Sequence, residues 1–375
     1  MMNPIKSLTI SAGLVVGLAA PLAGHSPEPV NPGANATARF LAGIPQAEVS
    51  VLSRWESIPA WREHRTQSSA LWKQWNGGRA LAMRRWAQSE AAAANPVGGT
   101  LFYPFSGPDI PSALAFFPEA AEYVLIGLEP VGRAPDLAAI PAEALPAYLA
   151  NLRKATDELI QLSFFRTNDM AVDMEQIGVT PILMLSLVQA GYTVEEVNRI
   201  AIAPNGQLRR GEAGTPGVEI RFRKGRQAPQ VVRYFSMDLS NNGLSGTKAA
   251  GARAYLGSLR SPTTFLKVAS YLMHKPYFSQ VRSVILDRSA YVLQDDSGIP
   301  FRFFPSQSWS TRLYGSYTAP ITLFDNWRQA DLQAAYGSPG VRTLPFGIGY
   351  RHRPGTSNLM LSARKPEQSL SWRQR

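Results

Sequence analysis

The sequence predicts an α/β protein with a mixed, mostly parallel sheet built round a βαβ core. Flanking helices, an antiparallel hairpin and a helical N-terminal layer complete it. Three observations carry this expectation. Residues 100–105 and 122–128 are short apolar runs separated by the turn Ser106-Gly107-Pro108-Asp109 and a small apolar segment, 113–117. Short, continuous apolar runs bounded by turn residues are the pattern of strands buried on both faces. Residues 142–165 repeat Leu145, Leu149, Leu152, Leu159, Ile160 and Phe164 at near-helical spacing. Residues 217–224 and 230–237 alternate about Gly225 as a hairpin does.

The chain has 375 residues, enough for a large core in one domain or two. Hydrophobic residues make up 45 % and charged residues 17 %, which places it among globular chains, not disordered ones. The formal net charge is +11, so an anionic partner is compatible with it, as is an ordinary basic surface. There is no cysteine, which excludes disulfides, Cys-bound metals and a lipidated N-terminal Cys. The composition and motifs leave the cofactor unknown.

The N-terminus has the pattern of a signal peptide over residues 1–24. Lys6 supplies the positive region, 8–22 the uncharged apolar region, and Ala23 or Gly24 the cleavage point. About fifteen apolar residues are short for a membrane span. A cleaved leader predicts a periplasmic or secreted protein without a membrane span; an uncleaved anchor is the alternative. Residues 25–46 read as a flexible Pro/Gly/Ala leader. Residues 47–95 form a helical, Trp-rich layer (Trp55, Trp61, Trp72, Trp75, Trp86) broken at Gly77-Gly78. Tryptophans among arginines serve either as a stacking platform or, more often, as packing against a sheet. The α/β domain is expected over 96–363 and a basic tail over 364–375.

In the central unit, ligands are expected where loops leave the carboxyl ends of parallel strands. Ser106 and Asp109 follow the first strand and Glu129 follows the second. Glu129 lies 22 residues after Gly107, which resembles the dinucleotide and S-adenosylmethionine-dependent methyltransferase pattern. That resemblance covers about thirty residues and implies a Rossmann-like core in which an acid after the second strand holds a ribose. The loop departs from the pattern, with one Gly followed by a proline that has no N–H. Export also weighs against these cytoplasmic cofactors. The bland alternative is a packed βαβ unit whose Asp109 caps its helix.

Further along, 166–169 (Arg-Thr-Asn-Asp) is a polar turn, 180–191 a helix and 197–203 a strand. From Arg209 to Arg233 there are seven basic residues against two acids, forming a solvated basic face or an anion or membrane-surface contact. The polar loop 238–243 closes the hairpin. Residues 263–274 are expected to form a helix with Lys267, Ser270, Tyr271 and His274 in one stripe. A helix over 277–288 and a strand at 291–293 lead to Asp295-Asp296-Ser297-Gly298. Paired acids on a tight turn suit acid/base work, a hard cation or simple capping. Strands are expected at 301–304, 309–317, 344–350 and 358–363, with a helix over 325–336.

The candidate catalytic residues are therefore Asp109, Glu129, His274, Asp295 and Asp296. Ser106, Lys267, Tyr271 and Arg302 are candidates to orient substrate, and no metal site is assigned. No Gly-x-Ser-x-Gly elbow, His-Glu-x-x-His motif or P-loop occurs, and spacing gives no support to a Ser106–His274–Asp295 triad. Two readings remain. One is an enzyme acting on a polar envelope or extracellular substrate, a glycan or an ester. The other is a non-catalytic envelope binding or scaffold protein using its basic surface. A nucleotide or S-adenosylmethionine site ranks third. A polar or anionic small molecule or an envelope glycan is the expected partner; nucleic acid is not.

Overall fold

In the computed structural model, the described residues are 32–46, 52–137, 139–162, 177–211 and 213–366, all within one unit spanning 31–375. The signal-peptide, 166–169 turn and most of the basic-tail expectations lie outside the described residues. The helices are α1 (Pro32–Leu41), α2 (Pro59–Gly77), α3 (Arg79–Glu90), α4 (Ile110–Phe116), α5 (Leu145–Leu162), α6 (Thr180–Gln189), α7 (Ala250–Ser258), α8 (Ser279–Arg288) and α9 (Ala330–Tyr336). The strands are β1 (Thr100–Pro104), β2 (Glu122–Gly127), β3 (Thr193–Ile202), β4 (Leu208–Arg210), β5 (Thr215–Arg223), β6 (Gln230–Ser236), β7 (Thr263–Leu266), β8 (Tyr291–Gln294), β9 (Trp309–Gly315) and β10 (Asn358–Arg364).

They form one ten-stranded mixed sheet in the order β4-β3-β5-β6-β2-β1-β7-β8-β10-β9. The run β6-β2-β1-β7-β8 is parallel. Both flanks are antiparallel, so the expectation of a mostly parallel sheet gives way: five of the nine pairings are antiparallel. The hairpin β5–β6 supplies one of them and carries the sheet outward to β3 and β4.

Side chains alternate across the parallel strands, as the pleat requires. Leu101, Tyr103, Tyr123, Leu125 and Phe265 face one layer, made by α1 to α6; Phe102, Val124, Ile126, Leu266 and Val292 face the other, made by α7 and α8. The tryptophans belong to the first layer. Trp61, Trp72, Trp75 and Trp86 are buried, and Trp86 meets Phe116, Tyr314 and Phe346 edge-on. They pack the sheet instead of presenting a stacking platform. Residues 32–41, expected in the leader, are helix α1, whose Ala38, Phe40 and Leu41 are buried in the same layer. The apolar spacing of that short segment was masked by its Pro, Gly and Asn content.

The largest correction is at 263–274, which is not a helix. Residues Thr263-Thr264-Phe265-Leu266 are strand β7, all four buried between β1 and β8. A β-branched and aromatic run buried on both faces overrides the helical spacing of its apolar positions. Lys267 to Tyr271 form a loop, followed by a 3-10 turn at Leu272–His274, so the polar stripe does not exist. Residues 301–303 are a 3-10 turn instead of a strand, and 344–350 are irregular. The hairpin's basic face is partly neutralised: Arg233 pairs with Glu122 and Glu219, and Arg223 with Glu195.

Candidate functional site

Between β1 and β7 the chain order along the sheet reverses: β2 and β6 lie to one side of β1, β7 and β8 to the other. Loops leaving the carboxyl ends of these strands part there, and such switch points open crevices. A cavity of about 160 Å³ occupies this place. The loops after β1, β2, β6 and β7 wall it, together with Leu159, Phe278 and Tyr350. A cavity of about 150 Å³ takes a benzene ring, so this one suits a small ligand or one ring of a larger one.

The floor is a buried ion pair. Lys267 Nζ lies 2.5 Å from Asp109 Oδ2, with both side chains under 5 % exposed. Lys267 also donates to Ser112 Oγ at 3.1 Å, and the Tyr103 hydroxyl donates to Asp109 Oδ2 at 2.7 Å. Asp109 Oδ1 accepts from Ser112 N at 3.3 Å, capping α4. One carboxylate thus caps a helix and neutralises a lysine from the next strand along the sheet. Burial raises the Tyr103 phenol well above its usual range, and the Asp109 charge raises it further.

Glu129 is at the mouth. Its Oε2 accepts from the Tyr234 hydroxyl at 3.1 Å, and the same hydroxyl donates to the Glu129 carbonyl at 2.8 Å. The carboxylate lies over two glycines. A Cβ on Gly127 would come within 2.2 Å of Glu129 Oε2, and one on Gly107 within 3.4 Å of Glu129 Oε1. Gly107, at φ +51°, and Gly127 therefore let the acid fold back over the ends of β1 and β2. Asp238, after β6, adds an exposed second carboxylate to the lining and also caps its own loop through Ser240.

The walls are strained. Five non-glycine residues have positive φ among the described residues, and four of them (Phe105, Val268, Ser270, Tyr271) sit in the β1 and β7 loops at this site. A β-branched residue such as Val268 is costly there. The loop after β8 holds the strained segment in place. Asp295 Oδ2 accepts from Val268 N at 3.0 Å, Ser297 Oγ from Ala269 N at 2.8 Å, and Ser297 O from Tyr271 N at 3.2 Å. Asp296 accepts from the Tyr271 hydroxyl and from Asn358 Nδ2. Burial, then the neighbouring Asp296 charge, raises the Asp295 carboxyl to about 6.

Of the residues singled out from sequence, Ser106, Asp109, Glu129 and Lys267 line the cavity. Asp295 and Asp296 lie behind the β7 loop, holding it, and Tyr271 is the residue of that loop whose hydroxyl Asp296 accepts. His274 stands outside the lining, ring to ring with Tyr271 and Trp327, and burial depresses its imidazole to about 4. Arg302 is exposed and stacks on Phe303. Sequence reasoning did not single out Tyr103, Ser112, Tyr234 or Tyr350. Each is an ordinary strand, helix or loop residue until the sheet order brings it to the site; a tyrosine at a strand's carboxyl end was the one signal, at Tyr103. Among the described residues no group of three or more His, Asp or Glu side chains is placed to hold a metal ion, and no helix is long and apolar enough to cross a membrane.

No family model matches this chain, and no curated protein matches it.

Proposed function

We propose that this is a Rossmann-like protein of the cell envelope or exterior that binds a hydroxylated ring of sugar size in the switch-point cavity. We further propose that Glu129 does acid/base work on it. The observation that carries the reading is Glu129 itself. It follows the second strand of the parallel run, in the position from which an acid accepts the hydroxyls of a ribose in doubly wound folds, and it is laid over the loop after β1.

Three features narrow the ligand. The carboxylates of Glu129 and Asp238 at the mouth favour a neutral or cationic molecule. The cavity takes one ring, free or at the end of a larger molecule. Three backbone N–H groups of the loop after β1 are spent internally, Ser106 N on Ile126 O, Asp109 N on Ser106 O and Ile110 N on Pro108 O, and Pro108 has none. A pyrophosphate would lack the N–H cradle that nucleotide loops provide. Phe105, Leu128, Leu239 and Phe278 give the ring an apolar wall. The strain gathered in the β1 and β7 loops accords with a ligand site, since such strain persists where the surroundings enforce it. Asp295 and Asp296 enter as positioning residues, and the Lys267–Asp109 pair as the rigid floor.

The test is ligand-observed NMR with neutral pentoses, hexoses and nucleosides, their deoxy analogues and their phosphorylated counterparts. A neutral, diol-bearing compound should bind and its phosphorylated form should bind more weakly. Glu129→Ala should weaken binding at least about tenfold, since a hydrogen bond to a charged group contributes roughly 1.5–3 kcal/mol. Equal binding by the variant, or no binding by any neutral ring, overturns the reading.

A further inference from the structure

We infer that the rim of this cavity docks on an anionic lipid surface. The inference does not depend on which ligand enters the cavity. Among the described residues four large apolar side chains are strongly exposed: Leu323 (78 %), Val97 (71 %), Leu128 (65 %) and Tyr277 (49 %). Three of the four lie at one edge of the sheet. Leu128 follows β2. Tyr277 follows β7 and sits beside the cavity-lining Phe278, ring centroids 5.3 Å apart. Leu323 follows β9, which runs antiparallel to β10 and therefore parallel to β8, so its carboxyl end is at the same edge. Its neighbour Phe324 packs on Tyr271 and Tyr350 at 4.9 and 5.0 Å, tying the segment to the β7 loop. Val97 precedes β1, at the opposite edge.

Basic groups predominate round this rim on the β7–β8 side, where the Asp325 carboxylate, two residues from Leu323, is paired with Arg328. Lys275 Nζ stands 5.5 Å from the Tyr277 ring and 6.0 Å from the Trp327 ring. Arg282 and Arg302 flank the same Phe303 ring at 4.5 and 5.0 Å. Their mutual field is strong enough that Arg302 lowers the Arg282 guanidinium, after burial, and helps depress His274. Arg282 directs its hydrogen bonds to the backbone oxygens of Met273 and Lys275. The carboxylates of Glu129, next to Leu128, and of Asp238 lie on the other side, at the cavity mouth.

Apolar tips on separate loops, a Trp–Lys–Tyr cluster and a cationic patch together are the chemistry of a bilayer interface. Amphipathic rings settle at headgroup level, leucines enter the acyl boundary and basic groups meet anionic headgroups. An acidic protein would engage the cations but give the exposed leucines no reason to lie round the opening. The +11 net charge adds long-range attraction to such a surface.

The absence of cysteine makes a site-specific test direct. Single variants Leu323→Cys, Leu128→Cys and Val97→Cys are labelled with an environment-sensitive fluorophore. Each is mixed with vesicles of phosphatidylglycerol and phosphatidylcholine (1:1), or of phosphatidylcholine alone. Labels at 323 and 128 should shift to the blue and be quenched by brominated acyl chains, only with phosphatidylglycerol present; the label at 97 should do neither. In co-sedimentation of the unlabelled chain, Leu323→Glu and Lys275→Glu should each lower vesicle partitioning about tenfold or more, with unchanged circular dichroism, and Val97→Glu should not. Three results overturn the inference: equal shifts at 97 and 323; no partitioning of the unlabelled chain; or binding to soluble polyglutamate that matches binding to vesicles, which marks a protein-type polyanion partner.

Discussion

Replacing Lys267 by Met would remove the cation in direct contact with the Asp109 carboxylate buried at the cavity floor, leaving it the hydrogen bonds from Tyr103 and Ser112 and the Arg79 charge. Breaking a buried pair from one side leaves an uncompensated charge, which costs about 3–5 kcal/mol. Asp109→Asn should cost a similar amount, because it removes the carboxylate that neutralises the buried Lys267 ammonium. Asp109→Ala should cost about 1 kcal/mol more, since it also removes the α4 cap. For a chain of this length, 3–5 kcal/mol corresponds to a fall in Tm of about 4–7 °C. The double variant Lys267→Met/Asp109→Asn buries no charge and should recover most of the loss, because a neutral replacement of a buried pair is often nearly neutral. The assay is urea unfolding of the parent and the four variants, reading midpoint and slope. The reasoning is refuted if each single substitution costs less than about 1 kcal/mol and the two costs simply add.

Gly127→Ala should keep the fold at a cost of about 1–3 kcal/mol and displace Glu129, because the new Cβ meets Oε2; ring binding followed by NMR should fall as far as in Glu129→Ala. His64, whose Nε2 lies 2.8 Å from Leu41 O, has its imidazole lowered by burial to about 4, so the folded state prefers it neutral. Its contribution is present above pH 6.5 and lost as pH falls toward 4; the stability difference between the parent and His64→Gln should shrink by up to roughly 3 kcal/mol across that window in urea titrations. Asp295 has the opposite sign. Its carboxyl is raised to about 6, so the protonated form is favoured in the fold, and its contribution is present below pH 3.8 and lost as pH rises through 6. The stability of the parent relative to Asp295→Asn should therefore decline from pH 4 to pH 6, and a rise over that range would contradict the burial account.

The central βαβ unit was legible because both its strands are buried on both faces and its turn carries Ser, Gly, Pro and Asp in succession. Asp109 as helix cap and Glu129 as a strand-end acid follow from that local pattern. The antiparallel flanks were only partly legible, since a hairpin shows its own pairing but not which strand it joins. Lys267 was found for the wrong reason. Its helical stripe with His274 does not exist, and the residue reaches the site because β7 lies beside β1, a long-range fact no local period encodes. Asp295 and Asp296 likewise stand out in sequence as paired acids, yet the structure gives them backbone N–H groups, a serine, an asparagine and a tyrosine to hold. The positive-φ residues Val268 and Tyr271 carry no sequence warning at all, because their side chains are ones that ordinarily avoid that conformation.

The central claim is that Glu129 accepts a hydroxyl of a neutral ring in the switch-point cavity. Its most direct test is a calorimetric cycle with the best-binding ring and its deoxy analogue against the parent protein and Glu129→Ala. The account predicts that each deletion weakens binding and that the two are strongly non-additive, with a coupling of at least about 1.5 kcal/mol. Additive losses, or a deoxy analogue that binds the parent as well as the hydroxylated ring does, would contradict it.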